Sequence, residues 1–274
     1  MSSWDPLIGS ELIIPVCHSQ RKLERCSIAA GNGRGPKFNL RKMGNVSNSS
    51  VVLRTLLTLP CSSPLNTAFF AGDVEIVRTL LRAGAELEYT NCRMWTSARY
   101  IFDPECSNRN SIELLDISAT PGLGQWDAQD RVGWTILHRA AAYGQGRDIR
   151  KMLNLQASPR IPTFQLNWLP ICCAVSKGNE STFDVLASPD VMSQREIIKL
   201  RDTRGWTLLH LAAQSGSVAI ITKLLKLGHH PYDTTDGCTM KVPDGLKMKE
   251  LTPGDIAHWH QTLDAYEQAL KNAS

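Results

Sequence analysis

Apolar positions along this chain fall into short helical stripes that stop and start again, separated by small residues and glycine. Ile76, Val77, Leu80 and Leu81 share one helix face, and so do Ile220, Ile221, Leu224 and Leu225, because residues three and four apart lie on the same side of an α-helix. This periodicity predicts longer helices over 75–83, 147–154 and 218–227. A shorter helical stretch precedes each of them and ends at a glycine, where a tight turn is expected.

The unit recurs at fixed offsets. RVGWTILHRAAAYG (131–144) and RGWTLLHLAAQSG (204–216) place Thr135 and Thr207 72 residues apart. With the threonine as position zero, an alanine follows five residues later at Ala68, Ala140, Ala174, Ala212 and Ala257. A glycine follows nine residues later at Gly72, Gly144, Gly178 and Gly216, and Gln261 takes that place in the last copy. The zero positions are Ser63, Thr135, Leu169, Thr207 and Thr252. A degenerate sixth copy starts at Thr96, with Ile101 for the alanine, Glu105 for the glycine and SIELLDI (111–117) as its second helix. A partial unit, VVLRTLLTL (51–59), echoes EIVRTLLRAG (75–84). One helix pair cannot bury its own apolar face, whereas a stack of pairs can, so the repeat is the folding logic. The predicted fold is an all-α solenoid of five to six repeats over 50–272, preceded by an irregular basic segment over 1–49.

The motif T-x-L-H-x-A-A-x-x-G followed by a V/I-x-x-L-L helix resembles the ankyrin repeat. TILHRAAAYG (135–144), TLLHLAAQSG (207–216) and SPLNTAFFAGDVEIVRTLLRAGAELE (63–88) carry the resemblance. Ile136 and Leu208 stand where that family usually has proline, and Asn66, Cys172 and Asp255 where it has histidine. The resemblance implies hairpin loops projecting from the stack and a concave groove that holds a partner protein. It also implies that His138 and His210 tie their own turn to the neighbouring hairpin, with Gly144 and Gly216 closing the helical turns. A histidine repeated with the period of the fold is structural, because a catalytic one is expected once, beside a nucleophile or base.

A tryptophan column is the most informative candidate site. Trp95, Trp134, Trp168 and Trp206 each occupy the position just before zero, which in the family lies at the base of the hairpin near the groove. Two roles fit: packing of each indole on the adjacent hairpin, and contact with a partner, since tryptophan is enriched at binding hot spots. Offsets seven and eight, on the outer side of the first helix, give Tyr143, Lys177 and Gln214 as further partner-binding candidates.

Composition narrows the chemistry. The chain of 274 residues is 42% hydrophobic and carries a net charge of +4. Residues 1–60 hold eight basic against three acidic side chains, so the rest is close to neutral, which disfavours a nucleic-acid-binding body. Longer apolar runs that would cross a membrane are missing, and the eight cysteines contain no C-x-x-C pair. Reduced thiols and an intracellular location, cytoplasmic or nuclear, are expected. GNGRGPK (31–37) lacks the G-K-[ST] ending of a phosphate loop. Cys17, His18 and Cys26 lack a second close pair of zinc ligands. The expected function is a non-catalytic, monomeric protein-binding scaffold with no cofactor or metal. Two rival readings are a nucleic-acid-associated regulator acting through the basic N-terminal segment, and the tail of a larger enzyme or ligase.

Overall fold

The computed structural model describes residues 63–87, 90, 94–104, 110–119, 126–235 and 250–273. The segment 1–49, the partial unit at 51–59, the glycine-rich stretch at 31–37 and the Cys17, His18 and Cys26 set lie outside the described residues. The described residues form helices and no strand.

In chain order the elements are α1 (Pro64–Ala71), α2 (Val74–Arg82), a 3-10 helix (Ser97–Phe102), α3 (Ser111–Ser118), α4 (Ile136–Tyr143), α5 (Gly146–Asn154) and α6 (Pro170–Ser176). They continue with α7 (Glu180–Leu186), α8 (Gln194–Lys199), α9 (Leu208–Ser215), α10 (Val218–Lys226), α11 (Pro253–Trp259) and α12 (Leu263–Ala273). The expected second helices are thus present, shifted by at most one residue at an end.

All six zero positions are helix N-caps: Ser63, Thr96, Thr135, Leu169, Thr207 and Thr252 have extended backbone and hand over directly to a helix. A capping side chain accepts one of the amide hydrogens that the first turn leaves unpaired. Ser63 does so for Asn66 and Thr207 for His210. Leu169 has no such oxygen, and Pro170 at the first helical position presets the backbone instead. Thr96 makes no side-chain cap, and its helix is the tighter 3-10 form.

The short helices stack in one layer, α1 on the 3-10 helix, then α4, α6, α9 and α11, and the second helices α2, α3, α5, α7, α10 and α12 stack behind them. Packed on both sides, α4 buries every residue from Ile136 to Ala142. Small Ala140, Ala174, Ala212 and Ala257 are fully buried at the closest approach of this layer. The second helices bury one face only, through Val77 and Leu80, Ile149 and Met152, Phe183 and Leu186, and Ile220, Ile221 and Leu224. Burying a side chain of this size contributes about 1.5–3 kcal/mol.

The turn between the helices is left-handed at Gly72 and Gly216, with φ of 70° and 69°, and Gln261 adopts the same conformation in the last repeat at φ 61°. Gly144 differs: its φ is −86°, so its turn is not left-handed. Glycine is needed at 144 for closeness, since a Cβ would sit 2.6 Å from the Ala140 carbonyl oxygen. The extra length between the fourth and fifth repeats is partly taken up by α8, opened by a reciprocal cap between Ser193 and Glu196.

Candidate functional site

Two of the hairpins that join the repeats are built on a buried carboxylate. In 130–134, one Asp130 oxygen accepts the amide hydrogens of Val132 (3.0 Å) and Trp134 (2.9 Å). In 202–206, Asp202 does the same for Arg204 (2.8 Å) and Trp206 (3.0 Å). Gly133 and Gly205 take the left-handed conformation the turn requires, at φ 88° and 75°. The hairpin at 163–168 uses Thr163, whose hydroxyl accepts the Trp168 amide hydrogen, and Asn167 at φ 57°.

The second oxygen of each aspartate reaches back to the preceding repeat. Asp130 accepts from the Trp95 indole (3.2 Å) and the Arg99 guanidinium (2.9 Å). Asp202 accepts from the Trp168 indole (3.1 Å) and from Arg204 (2.6 and 2.9 Å). Two arginines fill the space between successive indoles. Arg139 lies 3.8 Å from the Trp95 ring centre and 5.9 Å from that of Trp134; Arg204 lies 4.0 Å from Trp206 and 5.8 Å from Trp168. A desolvated cation over an indole face contributes about 2 kcal/mol.

These contacts decide where the tryptophans point. Trp95, Trp168 and Trp206 are only 8%, 6% and 4% exposed, so little indole surface is left for a partner. Trp134 is half-buried. The packing role of the column is therefore visible in the geometry at three of the four rungs.

His138 and His210 make equivalent connections. The Nδ1 of His138 accepts the Thr135 amide hydrogen at 3.0 Å, which leaves the ring proton on Nε2, and Nε2 donates to the Trp168 carbonyl at 3.0 Å. His210 accepts from Thr207 at 3.1 Å and donates to the Leu251 carbonyl at 3.0 Å. Burial lowers the His138 pKa to about 4 and lowers that of His210 as well, so both rings are neutral hydrogen-bonding parts. In the degenerate repeat Arg99 takes the histidine slot and donates to the corresponding carbonyl, that of Trp134, at 2.8 Å. Asn66 in that slot accepts from the Ser97 hydroxyl at 2.7 Å. Asp255 turns back on its own cap, Thr252. Cys172 lies buried in α6, where desolvation pushes its thiol up to about 12, out of the range of a nucleophile.

Arg99, Asp130, Arg139, Asp202 and Arg204 are absent from the candidates read from the sequence. The signal for the two aspartates is the pentapeptide D-x-x-G-W, present as DRVGW (130–134) and DTRGW (202–206); Arg99 and Arg139 lie outside it and Arg204 at a variable position of it.

Tyr143, Lys177 and Gln214 lie at the ends of α4, α6 and α9 and are all half-buried. The Lys177 ammonium is 5.5 Å from the Tyr143 ring centre. The row continues with Trp259 on α11, which is 65% exposed. Among the described residues no group of three or more His, Cys, Asp or Glu is placed to hold a metal ion, and no helix is long and apolar enough to cross a membrane.

A helical solenoid whose repeats are tied by a cap histidine and a hairpin aspartate defines a class of repeat protein. Residues 137–236 of this chain match the family model described as ankyrin repeats in three copies. Solved structures that share the fold include two of low identity to this chain. One is a chain of the complex of the Bdellovibrio bacteriovorus predatory endopeptidase Bd0816 with the immunity protein Bd3460. It is 18% identical, with a TM-score of 0.57 over 77% of this chain and 98% of that one. The other is the ankyrin repeat domain of Bcl-3, a member of the IkappaB protein family. It is 20% identical, with a TM-score of 0.50 over 75% and 82% of the two chains. Comparison with curated proteins returns no match.

Proposed function

We propose that this chain is a non-catalytic scaffold that holds a partner protein in the groove beside the first-helix layer. The observation that carries the reading is the row Tyr143, Lys177 and Gln214. Tyr143 and Lys177 stand at offset eight and Gln214 at offset seven of three stacked first helices, and the Gln214 amide makes no hydrogen bond within the described residues. Trp134 is the rung of the tryptophan column that a partner reaches, while Trp95, Trp168 and Trp206 act indirectly by fixing the hairpins. Ankyrin repeats generally mediate protein–protein interaction, and one of the two solved relatives comes from a complex of two proteins. A rigid row of an aromatic ring, a cation and an amide suits a protein surface, where direct hydrogen bonds surround a partly apolar centre.

Photo-crosslinking tests this. A crosslinker at position 214 in the native cell should capture one defined protein, and a crosslinker at the exposed Arg150 on α5 should not. Equal capture from both positions, or none at 214, would refute the groove.

A further inference from the structure

The hairpins leave a second surface whose chemistry differs from the groove. Asp130 and Asp202 point inward, which removes two carboxylates from the hairpin edge. What remains outward on 126–134, 158–168 and 200–206 includes two arginines, Arg131 and Arg160, and one aromatic ring, Phe164, among neutral residues and a single carboxylate. Arg131 is exposed and has no ion-pair partner among the described residues. Phe164 is 63% exposed. Arg160 and Arg201 pair with Glu196 and Asp233. The exposed carboxylate of these hairpins, Asp127, accepts the Ser158 amide hydrogen at 2.8 Å.

Phe164 is exposed without being loose. Its amide donates to the Val132 carbonyl at 3.2 Å. It presses against Gly133 so closely that a Cβ there would sit 2.4 Å from the Phe164 nitrogen and 2.9 Å from its Cγ. Gln129 donates to the carbonyls of both Gly133 and Pro162 at 2.9 Å, and Thr203 donates through its amide to Leu166 at 3.2 Å. Three hairpins are thereby zipped edge to edge. A ring held outward by fixed backbone loses little freedom when it is covered, and arginine grips carboxylates through paired hydrogen bonds.

We propose that the hairpin edge carrying Arg131 and Phe164 receives an acidic segment of a partner protein, which lays a carboxylate on Arg131 and an apolar side chain on Phe164. This rests on the reading of the chain as a protein-binding stack and adds the chemistry of what is bound.

Selection of random 12-residue peptides displayed on phage against the full chain tests it. The enriched peptides should be net negative and carry an aromatic or aliphatic residue. Arg131→Glu and Phe164→Ser should each weaken the best of them at least tenfold by fluorescence anisotropy, with unchanged melting temperature. Replacing the peptide's carboxylates by lysine should restore binding to Arg131→Glu. Enrichment of neutral or basic peptides, no enrichment, or acidic peptides indifferent to both substitutions overturns the proposal. If such peptides are instead weakened by Lys177→Glu or Gln214→Arg, the groove reading stands while this one falls. A dimer that Phe164→Ser dissolves would assign the edge to a second copy and also overturn it.

Discussion

The Nε2 hydrogen of His138 meets the carbonyl of Trp168 at 3.0 Å, joining the first turn of one repeat to the hairpin that opens the next. Removing the ring strands that carbonyl and the Thr135 amide in a fully buried site. His138→Ala is expected to lose about 1–3 kcal/mol of stability, and His210→Ala the same. Urea denaturation of each variant checks it; an unchanged midpoint would show that the ring is not a tie.

Acid should weaken the stack through the same groups. Burial holds the folded pKa of His138 and His229 at about 4, against an ordinary 6.5. The stability is fully present above pH 6.5. It declines as pH falls toward 4, because only the unfolded chain takes up the protons, at about 3 kcal/mol for each ring. His229 occupies the slot that Ala85 and Ala157 fill in other repeats, and neither ring nitrogen finds a hydrogen-bond partner among the described residues. Melting temperatures from pH 7 to 4.5 should fall, and His229→Ala should flatten the slope. A flat wild-type profile would contradict the assignment.

Asp202 faces two amides, an indole and a guanidinium at once. Asp202→Ala leaves buried Arg204 without its counter-charge, and loss of one partner of a buried pair costs about 3–5 kcal/mol. Calorimetry of this variant beside Asp127→Ala, whose carboxylate is exposed, should show a large drop for the first alone.

Trp168→Ala removes a buried indole that packs on Arg204 and should cost about 3–5 kcal/mol, comparable with Leu224→Ala in the core. A variant that kept its melting temperature and lost partner affinity would restore the indole to the binding surface.

Much of this fold is legible in the sequence because the repeat states each instruction several times. Six zero positions cap six helices, and the alanine at offset five marks the layer of closest approach. The hairpin network was hidden for a physical reason. Arg99, Arg139 and Arg204 are charged and read as solvated, yet they are buried because the indoles and the inward aspartates supply their partners. Helix α8 was hidden because a six-residue turn within a loop is too short to show a period. Tyr143 and Lys177 follow from the register at offset eight and Gln214 at offset seven, where exposed Trp259 also falls in the repeat whose glycine is replaced.

The groove itself is tested most directly by the affinity of the partner captured at position 214 for the double variant Lys177→Glu, Gln214→Arg. Titration calorimetry should show binding at least tenfold weaker than to the unaltered chain, about 1.4 kcal/mol or more, at the same melting temperature. Affinity within twofold of the unaltered chain would contradict the account.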